Sequence, residues 1–179
     1  MKDIVIIATT EGREEWLNQC VTSLKNTPYM VVSENKNYMY EIGKIRWMYE
    51  NTNFDRWFFL QDSVVIKDLS LFDIAFSYPK SVSLCDSPGQ YGMYLGVYSR
   101  ETLEKIEIPK ISTKREAVLL ERSWNEKYCQ AEGGVPTLFT DLSDANSKII
   151  EIFGRKNRLL ENNYLKKYKG TWHMGMIKD

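Results

Sequence analysis

Trp57-Phe58-Phe59-Leu60-Gln61-Asp62-Ser63-Val64-Val65-Ile66 is the stretch around which this chain organises. A continuous run of bulky aromatic and β-branched residues reads as a strand buried on both faces, as in a parallel sheet with helices on each side. Asp62 interrupts it. An uncompensated carboxylate inside such a strand costs on the order of several kcal/mol, which puts Asp62 at the strand's exit, facing a cleft, a cation or a hydrogen-bond cluster. Open α/β sheets bind ligands at that edge. The plainer reading makes Asp62 a turn residue between two short strands.

Upstream, Ile4 to Ala8 reads as a strand and Thr9 to Arg13 as a polar turn. A helix follows, with Trp16, Leu17, Cys20, Val21 and Leu24 at helical spacing and Glu14 and Glu15 early, where the macrodipole favours acids. Asn26-Thr27-Pro28 ends it, and Tyr29 to Val32 forms a second strand with Glu34 at its exit, completing a β-α-β unit. Residues 40–51 give a second helix with Ile42, Ile45, Met48 and Tyr49 inward and Lys44 on the surface.

Downstream, residues 81–85 and 93–98 read as strands separated by a turn that begins at Asp86, and Ser99 as a helix cap. Residues 113–130 form an amphipathic helix, Gly133 to Pro136 break the chain, residues 137–140 suggest a strand and residues 144–153 a short helix. The stretch 154–173 is basic and punctuated by glycine. Alternating strands and helices through the first hundred residues predict an α/β fold with a mostly parallel sheet.

Composition sets bounds. A chain of 179 residues fits one domain. Its 24 basic and 24 acidic residues cancel, so no global field draws it to nucleic acid or anionic membrane, and any such contact must be local. Cys20, Cys85 and Cys129 lack the spacing of a disulfide framework or a structural zinc site, which suits a reducing cytoplasm. With no signal-peptide pattern and no membrane-length apolar run, the expectation is a soluble cytoplasmic protein. Richness in Lys, Asn, Tyr and Ile suits a phage or AT-rich bacterial genome.

The order strand, Thr9 to Arg13 turn, helix, strand ending in an acid, helix, apolar strand ending in Gln61-Asp62-Ser63 resembles the nucleotide-sugar half of GT-A-type glycosyltransferases. That resemblance implies a GT-A-like three-layer sandwich with a mostly parallel central sheet. Residues 1–100 would hold the nucleotide sugar, and residues 101–179 would supply acceptor-side helices and the basic tail. It implies that Thr9, Thr10, Glu11, Arg13 and Glu34 hold the nucleoside side of the donor. Gly43 to Arg46 resembles the helix that turns a basic side chain to the diphosphate, and Gly92 to Ser99 the acceptor loop and its strand.

Metal ligands by the same resemblance are Asp62 and His173, with Mn²⁺ or Mg²⁺ as the cation, and Gln61 counts among the nucleotide-sugar contacts. A bound cation and basic side chains (Arg46, Arg155 and Lys156) would stabilise the departing diphosphate. This chain departs from the family pattern in carrying one acid, Asp62, flanked by Gln61 and Ser63. Glu116 sits where the family's acidic motif is expected and is the candidate base, with Asp86, Glu121 and Asp141 as rivals.

Each of these residues has a bland reading as well. His173 reads equally as a surface residue, Glu116 as a favourable first-turn charge, and Arg155 to Arg158 as a solvated face. The expected activity is transfer of a sugar from a nucleotide donor, a UDP-sugar first among them, to the hydroxyl of a modified DNA base, protein or glycan. The basic tail offers a local nucleic-acid contact. The alternatives are a nucleotidyltransferase, which ordinarily shows a richer glycine and lysine loop after its first strand, and a non-catalytic nucleotide- or glycan-binding module.

Overall fold

The computed structural model describes residues 1–85 and 94–170. The first half runs β1 (Asp3–Thr9), α1 (Glu14–Leu24), β2 (Tyr29–Ser33), α2 (Tyr40–Asn51), β3 (Arg56–Gln61), β4 (Val64–Ile66) and α3 (Ser70–Phe76). The second half runs β5 (Val82–Ser83), β6 (Gly96–Ser99), α4 (Arg100–Leu103) and α5 (Lys114–Glu132), then a 3-10 turn (Asp144–Asn146). It closes with β7 (Lys148–Ile152), β8 (Arg155–Glu161) and β9 (Leu165–Gly170).

β3 is buried on both faces, as its composition demands. Trp57 and Phe59 join Ile4, Ile6 and Ala8 in a core closed by α2 and α5 through Ile42, Ile45, Met48, Trp124 and Tyr128. Phe58 and Leu60 join Val5 and Ile7 in a second core, closed by Cys20 and Leu24 of α1, Leu71 and Phe72 of α3, and Leu160 and Leu165. The alternation of side chains along one strand thus builds two cores.

The fold is α/β, and its central sheet is mixed rather than mostly parallel. In the order β2-β1-β3-β6-β5, β1 is parallel to β2 and β3, whereas β6 is antiparallel to β3 and β5 antiparallel to β6. β6 runs straight back, so that Arg100 N–H donates to the Asp55 carbonyl at the start of β3. An antiparallel return needs no crossover helix.

The larger correction concerns the last third. Residues 144–153 do not form the expected helix, and the described part of the basic tail, to Gly170, is largely strand. With β4 they build a second, wholly antiparallel sheet in the order β4-β9-β8-β7. Ile149, Ile150 and Ile152 are β-branched and favour a strand. Phe153 and Gly154 both take positive φ, 50° and 69°, the signature of a two-residue hairpin turn. Residues 137–140 contribute a single bridge, Thr137 to Ser83, in place of a strand.

α3 escaped the sequence reading, although Leu71, Phe72 and Ala75 fall on one buried helical face. Ser99 precedes α4 without a side-chain cap, while Thr113 and Glu116 form a complete capping box on α5. Among the described residues no helix is long and apolar enough to cross a membrane.

Gly43 lies inside α2, where a Cβ would stand 2.6 Å from the Tyr38 carbonyl carbon. Backbone meets backbone there, and neither side yields readily. Gly43→Ala is therefore expected to destabilise the protein by about 1–3 kcal/mol despite alanine's better helix propensity. Urea unfolding of the variant measures this, and an unchanged midpoint would show that the 34–39 segment gives way freely.

Candidate functional site

The carboxyl ends of β1, β2 and β3 open between the first turns of α1 and α2. Asp62 leaves β3 there with its N–H still donating to the Ala8 carbonyl, 3.0 Å away. Thr9 Oγ1 donates to its Oδ2 at 2.8 Å, and Arg13 straddles both oxygens, Nη2 to Oδ1 at 2.6 Å and Nε to Oδ2 at 2.8 Å. The Asp62 side chain is 2% exposed. Its charge is also felt by Cys20, whose thiol is pushed up to about 12 by burial and then by Asp62.

A carboxylate offers about four lone-pair sites; the Thr9 hydroxyl and the Arg13 Nε–H and Nη2–H occupy three, with Nε shared between both oxygens. A cation approaching Asp62 meets a guanidinium. The described residues therefore do not fit a metal held by Asp62. His173, its expected partner, lies outside the described residues.

Arg13 also lies over Trp16, 5.3 Å from its ring centroid, and Trp16 in turn contacts Phe153 at 5.0 Å and Tyr168 at 5.3 Å. That aromatic group seats the β7-β8 hairpin on α1. Arg155 and Lys156 stand just beyond the hairpin turn, exposed on β8. The glycine next to them makes the hairpin, which removes the reason for an anion-cradling loop at that point.

On the other side of β1, Glu34 accepts from Tyr40 N–H at 2.9 Å and from Lys44 Nζ at 3.4 Å, and Lys44 also reaches Thr10 Oγ1 at 3.4 Å. Lys44, expected on the surface, is buried and is the basic side chain that α2 turns to the strand ends. Arg46 pairs instead with Glu50 one turn along the helix, Nε to Oε1 2.7 Å. Helical geometry separates two positions two apart, and Lys44 lies between the buried Ile42 and Ile45. Glu11 is exposed on the turn.

A third group of polar side chains joins the two sheets. Gln61 Nε2 donates to Glu41 Oε1 at 2.9 Å, and Gln61 Oε1 accepts from Lys167 Nζ at 3.2 Å. Lys167 is 8% exposed, and burial lowers its pKa below the ordinary lysine value. Glu121 of α5 faces the same place. Burial, then the Glu41 carboxylate, push its carboxyl up to about 7, with Lys169 pulling the other way. The Tyr94 phenol is raised well above its ordinary value by burial and by Glu121 and Glu41.

The four candidate bases separate cleanly. Glu121 is drawn into this group. The Glu116 carboxylate accepts from Ser112 and Thr113 N–H at 2.8 and 3.1 Å, so it serves the capping box. Asp141 is exposed on a loop and is contacted by Asn162 at 3.4 Å, and Asp86 and Gly92 lie outside the described residues. The cations of the expected basic patch also meet acids: Arg158 and Lys169 reach Asp144, and Lys166 lies 3.9 Å from Glu161.

Glu41, Lys44, Lys167 and Lys169 were missed as site residues. The strand period carried a signal for the last two, because Leu165, Lys167 and Lys169 share a face. The lysines and glycines of residues 154–173, which mark a basic tail, masked it.

No family model matches the chain, and no curated protein matches it. Among solved structures it is similar to the crystal structure of A197 from STIV, with a TM-score of 0.54 and 13% sequence identity over 100% of this chain and 99% of that one. At that identity the likeness is one of fold, and it extends over both sheets.

Proposed function

We propose that this protein is a nucleotide-sugar transferase, with the donor lying across the carboxyl ends of β1, β2 and β3 and Glu121 as the base that activates an acceptor hydroxyl. The observation that carries this reading is the grouping of Glu121 with Glu41, which Gln61 links to Lys167; burial and Glu41 push the Glu121 carboxyl up to about 7. A carboxylate in water is too weak a base for a hydroxyl, and one with a pKa near the working pH combines ionised population with proton affinity.

The element order supports the same reading, with its GT-A-like arrangement of strand, polar turn, helix and strand ending in an acid. Thr10, Glu34 and Lys44 offer hydroxyl, carboxylate and ammonium to a nucleoside at the edge where such sheets bind ligands. The nucleotidyltransferase alternative loses ground, because Arg13, the cation of the first turn, is committed to Asp62.

The test is a thermal-shift panel of UDP-, GDP-, CMP- and dTDP-sugars with Mn²⁺ or with EDTA, paired with a donor-hydrolysis assay. One nucleotide class is expected to stabilise the protein by about 2.7 kcal/mol at a hundredfold excess over its Kd. Binding without any turnover would favour the non-catalytic module, and no shift under any condition would sink the donor site.

A further inference from the structure

We propose that Lys167, Lys169 and Arg158 form the subsite for the donor's diphosphate, and that these side chains do the electrostatic work a divalent cation would otherwise do. This rests on the transferase reading above. It departs from the metal-dependent chemistry that the resemblance to GT-A-type enzymes implies.

The placement comes from sheet register. Arg158 of β8 stands directly opposite Lys169 of β9, and Leu160 opposite Lys167, so the three cations share the sheet face that carries Leu160 and Leu165 into the core. Neighbouring strands lie about 4.8 Å apart and alternate residues on one strand about 6.8 Å apart, which groups the three within the span of a diphosphate. Lys167 is the deepest, joined to Gln61, the residue before Asp62. The cluster therefore reaches the strand end where a metal-holding acid would work, while Asp62 itself is closed off by Arg13.

Two features mark the cluster as built for an anion. Lys167 is buried, and among the described residues no carboxylate lies within ion-pair distance of it. Its hydrogen bond goes to an amide oxygen. An ammonium is costly to bury without a counter-charge. Arg158 Nε is likewise buried with no hydrogen-bond partner, although Nη1 of the same guanidinium lies 3.4 Å from Asp144. Among the described residues Asp144 is the ion-pair acid of Lys169 and Arg158, and Lys167 has none. Glu41 and Glu121 face the cluster from α2 and α5 and mark its acceptor side.

In the transfer step the acceptor O–H bond breaks and its proton passes to Glu121. The acceptor oxygen bonds the anomeric carbon, and the bond from that carbon to the β-phosphate oxygen breaks. The electron pair stays on the diphosphate, where the new charge meets Lys167, Lys169 and Arg158.

The experiment titrates the full chain in EDTA with inorganic pyrophosphate and, separately, with UDP and GDP, by calorimetry and thermal shift. Pyrophosphate is expected to bind without metal. Lys167→Met should weaken it by roughly tenfold or more, with an apo melting temperature unchanged or higher. Arg158→Gln and Lys169→Gln, at less buried positions, should each weaken it by roughly three- to tenfold. Binding that requires Mn²⁺, or that ignores all three substitutions, would overturn the proposal. Lys167-dependent pyrophosphate binding with no response to any nucleotide would keep the anion site and remove the transferase reading. Nucleotide binding indifferent to the three cations would do the reverse.

Discussion

Glu121→Gln is expected to lower sugar transfer by about 10²–10⁴-fold, the usual worth of a positioned general base, while nucleotide affinity stays within about twofold. Glutamine keeps the size and polarity of the side chain and cannot take a proton. A loss confined to kcat separates a base from a residue that merely shapes the cleft. Transfer by the wild type should rise with pH and level off above about 7, tracking ionisation of the carboxyl that burial and Glu41 hold up. A variant with full activity, or an unchanged profile below that plateau, would remove Glu121 from the chemistry.

The same carboxyl couples pH to stability. Its pKa rises on folding from 4.5 to about 7, so between those values the native state holds a proton that the unfolded chain has released. Stability is therefore full at the acid end of this window and falls as pH rises through it. The loss is on the order of 1–3 kcal/mol, discounted because Glu121 is only partly buried. Urea unfolding across the window should show this slope in the wild type and a flatter one in Glu121→Gln.

The second large effect belongs to stability alone. Asp62→Ala leaves the Arg13 guanidinium and the Thr9 hydroxyl facing an apolar strand end, and is expected to cost about 3 kcal/mol, or roughly 6–12 °C in Tm. Arg13 is 35% exposed on its side chain and regains some water, which keeps the loss near the lower end for a broken buried pair. Asp62→Asn retains an acceptor for part of the fork and should fall between the two. A double-mutant cycle with Arg13→Met measures the coupling. If Asp62→Ala unfolds at the wild-type urea concentration, the fork contributes nothing and Asp62 returns to the list of candidate ligands.

These two residues show where the sequence was informative. Asp62 was conspicuous because a lone acid ending an apolar run must be compensated, and it is. The identity of the compensating group was out of reach: Arg13 lies 49 positions earlier in the chain, and only the parallel pairing of β1 with β3 brings the two together. Glu121 stood among several acids with no local mark to prefer it. Its raised pKa comes from packing of α5 beside α2 and the nearness of Glu41, neither of which is written in the residues around it.

Local order alone determined β1, α1, β2, α2 and β3. Strand-forming runs, the β-α-β unit and the span of α5 depend on period, propensity and neighbours a few residues apart, and the chain carries those directly. The second sheet is a different matter. Lys148 to Gly170 is polar, charged and rich in lysine, because its strands carry much of their side-chain surface to solvent or into ion pairs, so apolar alternation marks them only faintly. Their pairing with Val64 to Ile66, about a hundred residues away, is a tertiary event. It moves Lys167 from a basic tail to a buried place beside Gln61, and so turns an ordinary surface cation into part of the site.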